Sequence, residues 1–97
     1  MSFESLLVNI EGGDKVDKQA IIAEAWRKSK YAYNSYDMNL MYEAHGYVKG
    51  IVDSGLVTYH EVSDIDSFIC RDCINNGEWV QEVERREMKV YSRIVKA

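Results

Sequence analysis

Residues 38–76 read MNLMYEAHGYVKGIVDSGLVTYHEVSDIDSFICRDCINN, and this stretch decides the fold. Its first half sets Leu40, Ala44, Tyr47, Val48 and Ile51 on the i, i+4, i+7, i+8 stripe of a one-sided helix. Ser54-Gly55 supplies the stop, because glycine takes the left-handed conformation without a side-chain clash. Thr58-Tyr59-His60-Glu61 supplies the restart. The Thr58 hydroxyl can accept from the Glu61 amide while the Glu61 carboxylate reaches back to the Thr58 amide, a capping box. Val57 and Val62 occupy the places of a hydrophobic staple. Beyond them Val62, Ile65, Ile69 and Cys73 share a narrow stripe, with Phe68 on one flank and Ile74 on the other. Cap, staple and period all predict a helical hairpin, ended by Asn75-Asn76-Gly77.

Outward from the hairpin, Asp14 reads as an N-cap with Asp17 in the first turn of a helix running to about Tyr36. Ile21, Ile22, Ala25, Trp26, Ser29, Ala32, Tyr33 and Tyr36 share one side of that helix; Arg27, Lys28, Lys30 and Tyr31 share the other. Asp37 or Asn39 can cap the helix that follows. Residues Met1–Ile10 fit a short helix capped by Ser2 or a short strand, and Gly12-Gly13 breaks either one. In Glu78–Lys96, Trp79, Val80, Val83, Val90, Tyr91 and Ile94 gather within a third of a helical wheel. Met88, Val90, Ser92 and Ile94 also alternate, so the strand alternative over residues 88–95 gives an α+β fold. The expectation is an all-α domain over residues 1–97, a small bundle of four to five helices around the central hairpin. Its expected core is Ile22, Trp26, Leu40, Ala44, Val48, Ile51, Val62, Ile65, Ile69, Val83 and Val90.

Composition bounds the classes. A chain of 97 residues that is 46% hydrophobic is not of the disordered type. The absence of proline favours uninterrupted helices. No apolar run approaches the ~20 residues of a membrane span. With two cysteines and no basic segment before an apolar run at the N-terminus, a cytoplasmic location is expected.

Charge is unevenly spread. Residues 50–84 hold eight acids (Asp53, Glu61, Asp64, Asp66, Asp72, Glu78, Glu82, Glu84) against Arg71. Residues 85–97 hold five bases (Arg85, Arg86, Lys89, Arg93, Lys96) against Glu87. A row of carboxylates steers association with a basic partner or imitates a phosphate backbone. A basic helix face neutralises phosphates.

The candidate chemistry is thin. Cys70-Arg-Asp-Cys73 is a single C-x-x-C, whereas zinc needs four ligands; only His45 and His60 remain, at no standard spacing. Both thiols fall late in a helix pattern, where a redox pair would want the N-terminus, and Cys73 lies on the apolar stripe. His60 has Glu61 and Asp64 nearby, but the sequence places no nucleophile beside it. Asp64 and Asp66 lack the glycine and terminal glutamate of a calcium loop. Gly12-Gly13 has an acidic flank and no following Lys-Ser/Thr, against a phosphate loop.

These readings expect a non-catalytic binding protein with no catalytic residue, metal or cofactor, working through protein–protein contacts. The expected contact residues are the acids Asp53, Glu61, Asp64, Asp66 and Asp72 and the tyrosines Tyr31, Tyr36, Tyr42 and Tyr59. By analogy of size and charge with small phage and plasmid proteins, the partner is a nucleic-acid-handling complex that the protein inhibits or regulates. The alternative is direct DNA or RNA binding through Arg85, Arg86, Lys89, Arg93 and Lys96. No membrane partner is expected; a homo-oligomer fits a core this small.

Overall fold

The structure, a computed structural model, describes residues 17–96, with side chains through Val90. The expectations for Met1–Ile10, Gly12-Gly13 and Asp14 fall outside these residues. Four α-helices and one π-helical segment follow in order: α1 Lys18–Ser35, α2 Met38–Asp53, α3 Tyr59–Ser67, the π segment Phe68–Ile74, and α4 Gly77–Lys96. No strand occurs among the described residues, so the strand alternative over residues 88–95 is replaced by helix.

Each boundary has a chemical cause. Asp17, one turn later than the expected Asp14, caps α1 by accepting from the Ala20 amide at 3.0 Å. The helix closes with the paired bonds of a Schellman motif: Tyr36 N–H to Tyr33 O and Asp37 N–H to Ala32 O, both 3.3 Å. That motif needs a left-handed residue, and here it is Tyr36, at φ 50°. Asp37 then caps α2 through the Leu40 amide at 3.1 Å. Gly55, at φ 81°, turns the chain out of α2. The capping box is present, with Glu61 N–H on Thr58 Oγ1 at 3.3 Å and Thr58 N–H on Glu61 Oε1 at 2.9 Å. Val57 and Val62 are both buried, as a staple requires.

Asn75-Asn76-Gly77 does not end the hairpin as Ser54-Gly55 ends its first arm. Asn76 starts the next helix: its Oδ1 accepts from the Glu78 amide at 3.0 Å and the Trp79 amide at 3.4 Å, and Gly77 is already helical. At the end of the π segment the amide of the capping Asn75 reaches back five residues to Cys70 O at 2.9 Å. Four residues advance an α-helix by ~400°, a drift of ~40° per step. A wider turn reduces that drift. Ile65, Ile69 and Cys73, each four apart, therefore stay fully buried in one line.

α1 packs along α2, and α3 with the π segment lies across both. The core draws Ile21, Ala25, Ser29 and Ala32 from α1, Met41, Ala44, Val48 and Ile51 from α2, Val57, then Val62, Ile65, Ile69 and Cys73, and finally Trp79 and Val83. Three expected core residues shift outward. Ile22, Trp26 and Leu40 are only partly buried, flanking the helix contact rather than filling it. The contact line of α1 instead carries Ala25, Ser29 and Ala32, small residues that let the backbones approach. Ser29 meets the cost of burial by donating to Trp26 O at 3.0 Å.

The fourth correction is Val90, which is 57% exposed. α4 buries side chains against the body through its first two turns, and beyond them Arg86 lies over the Tyr36 ring. Trp79 stacks on Tyr33 and Tyr36, with centroids 6.3 and 6.2 Å away, and its indole N–H donates to Tyr33 O at 3.1 Å. Every residue from Glu84 to Val90 is exposed. Thirteen helical residues follow Val83, an extent of roughly 20 Å at ~1.5 Å per residue.

Candidate functional site

The four expected contact tyrosines divide into two pairs. Tyr31 and Tyr42 stand on the surface, 59% and 56% exposed. Tyr36 is drawn into the aromatic stack, with the Arg86 guanidinium 4.2 Å above its ring. Tyr59 is exposed but tied down, its hydroxyl donating to Asp66 Oδ2 at 3.1 Å. That bond holds the Tyr59 phenol above its ordinary pKa. Tyr31 borders a shallow cleft of about 190 Å³ between α1 and α2, completed by Arg27, Lys28, Leu40, Glu43 and Ala44.

The acidic set is also dispersed by the fold. Asp53, Asp64 and Asp72 are exposed. Glu61 is spent on the capping box and on Lys18, 3.4 Å away. The hydrogen bonds to Thr58 come first among the causes that keep its carboxyl below the usual range. Asp66 lies ~140° round the helix from Glu61 at ~100° per residue, and faces another way.

On α4, Arg85 and Arg86 both pair with Glu82 of their own helix. No ion pair joins α4 to the acidic hairpin among the described residues. Lys89 is exposed, while the side chains of Arg93 and Lys96 fall outside the described set. Glu78, Glu82 and Glu84 precede all of these bases and Glu87 alone falls among them, so the acids that offset the bases lie mainly in the first two turns of α4.

A second grouping was not expected. His45 from α2, Asp66 from α3 and Cys70 from the π segment bring one donor atom each to a common point. His45 Nε2 lies 3.4 Å from Asp66 Oδ1, and Cys70 Sγ lies 4.0 Å from each of them. The His45 and Asp66 side chains are 34% and 22% exposed, so the point opens to solvent. Burial, then the Asp66 charge, raises the Cys70 thiol pKa. Cys73, the other half of the C-x-x-C, is turned into the core, and burial pushes its thiol up to about 12. The two thiols thus have different surroundings, Cys73 in the core and Cys70 beside His45 and Asp66. The only sequence signal for the true grouping was Asp66 and Cys70 at i, i+4, adjacent on one helix face.

The grouping does not have the form of a nucleophilic triad. There the base uses one ring nitrogen for the nucleophile and the other for the carboxylate. Here sulfur and carboxylate approach the same nitrogen.

No family model, no curated protein and no solved structure matches this chain. Among the described residues no helix is long and apolar enough to cross a membrane.

Proposed function

We propose that this protein is a small non-catalytic binding protein that engages another protein through the exposed face of α1 and α2. The observation that carries this reading is the Tyr31–Leu40 cleft. At about 190 Å³ it is smaller than the ~300–1,000 Å³ of small-molecule sites. It suits one anchoring side chain of a partner. The rim of Arg27, Lys28 and Glu43 around a floor of Leu40 and Ala44 has the polar-edge, apolar-centre character of a protein contact. Tyr31, at the edge of the cleft, adds an amphipathic ring of the type that dominates binding energy at such contacts; Tyr42 is also exposed but lies ~160° round α2 from Leu40. The narrower form of the proposal is an inhibitor or regulator of a nucleic-acid-handling complex, with exposed Asp53, Asp64 and Asp72 contributing negative steering.

A photo-crosslinking residue placed at position 31 or 42 in the source cell tests this. A discrete protein adduct is expected at position 31, lost when Leu40 is changed to Asp; position 42, ~160° round α2 from Leu40, shows how far the contact extends. Failure to form an adduct at position 31 would remove the reading.

The second reading, direct nucleic-acid binding, rests on Arg85, Arg86 and Lys89, all exposed on α4, of which Arg86 also lies over the Tyr36 ring. Titration with DNA and RNA at rising salt separates the two. Binding that weakens steeply with salt and is lost on Arg85→Ala/Lys89→Ala favours this second reading.

A further inference from the structure

We propose that His45, Asp66 and Cys70 form a binding site for a divalent transition-metal ion, zinc first, that ties α2 to α3 and the π segment. The site is independent of the α1–α2 face and stands or falls apart from it.

The argument begins with the donor atoms. An imidazole nitrogen, a carboxylate oxygen and a sulfur are each ordinary zinc ligands. Calcium and magnesium take oxygen ligands, so a set containing sulfur and imidazole selects against them. Zinc bonds of ~2.0–2.2 Å to nitrogen or oxygen and ~2.3 Å to sulfur put tetrahedral ligands roughly 3.3–3.6 Å apart. The His45–Asp66 edge is already 3.4 Å. The two sulfur edges, at 4.0 Å, close to that span with a shift of roughly half an ångström. Rotation of the single Cys70 side chain can supply such a shift.

The surroundings fit as well. Tyr59 donates to the second oxygen of Asp66 at 3.1 Å, leaving Oδ1 aimed at the shared point, as an outer-sphere partner of a metal-bound carboxylate does. The fourth position faces solvent, the arrangement of sites that keep water or an exchangeable donor. Finally, Cys70 lies within the π segment, and such insertions recur at functional sites. In this chain the wider turn buries Cys73 while Cys70 stays beside His45.

Anaerobic titration of the reduced full chain with Co²⁺ alone reads the site directly. One equivalent is expected to bind with a sulfur-to-cobalt charge-transfer band and the intense d–d absorption of a four-coordinate ion. Zn²⁺ should then displace it and raise the melting temperature. Cys70→Ser and His45→Gln should each lose the band. Tyr59→Phe should weaken affinity roughly 10-fold, the low end for an outer-sphere partner. Cys73→Ala and His60→Gln should leave the band intact. Asp66→Asn, which keeps the side-chain shape, is the further ligand variant if Cys70→Ser fails to reach wild-type helicity by circular dichroism. The proposal is overturned by a folded wild type that shows no charge-transfer band with excess Co²⁺. It is equally overturned by a band that survives Cys70→Ser, or by one that Cys73→Ala abolishes in a folded protein, which would assign the metal to the C-x-x-C pair.

Discussion

The corner between α2 and α3 and the helix α4 show two ways in which an apolar stripe meets the rest of a protein. At the corner every signal is local and every signal is used. Gly55 turns, Thr58 and Glu61 cap each other, Val57 and Val62 close over the turn, and the stripe they begin is buried to its end at Cys73. α4 carries an equally regular stripe, but the body buries Trp79 and Val83 and covers Val80 in part, while Val90, seven residues beyond Val83, is exposed. Periodicity therefore reports which face of a helix is apolar. It does not report how far along the helix a neighbour extends to cover it.

The sharpest way to break the comparison is Trp79→Ala. Trp79 is the hinge of α4 on the body, so its loss is expected to cost about 3–5 kcal/mol in a denaturant titration. A cost under 1 kcal/mol would mean that α4 is held by something other than its aromatic stack. Next comes Thr58→Ala, expected to cost about 1 kcal/mol by the same measurement through the lost cap. Arg86→Ala should cost about 0.5–1 kcal/mol through the cation lost from above Tyr36.

A smaller effect follows from pH. The folded-state pKa of Glu61 is held below its ordinary 4.5, chiefly by hydrogen bonds to Thr58. A group lowered in this way adds stability above its unfolded pKa and loses it as pH falls through the folded one. The advantage of the wild type over Glu61→Gln should accordingly be constant near neutrality and shrink as pH drops below 4.5. Smallest of all, Val90→Ser should leave thermal stability within about 0.5 kcal/mol of the wild type. A larger loss would show that the outer stripe of α4 is covered in solution.

The all-helical class, the hairpin and its corner were legible because capping boxes, staples and glycine stops are written within a few residues of each other. Three features were not. The phase of α1 on α2 depends on how closely two backbones approach, so Ala25 and Ser29 displaced the bulkier Ile22 and Trp26 from the contact. Tyr36 occupies a left-handed position that local preference reserves for glycine or asparagine. The meeting of His45 with Asp66 and Cys70 depends on the rotation of one helix against another and on the π insertion. Residue spacing along the chain encodes neither of these.

Tyr36 couples two distant parts of the chain. Its backbone conformation is uphill for a side chain of this size. Its ring is held by Trp79 on one side and Arg86 on another, both contributed by the helix furthest along the chain. The reversal between α1 and α2, closed locally by its own backbone bonds, is thus also braced by α4. A feature that looks like a short connection near the start of the described chain is in effect a latch that its end helps to hold.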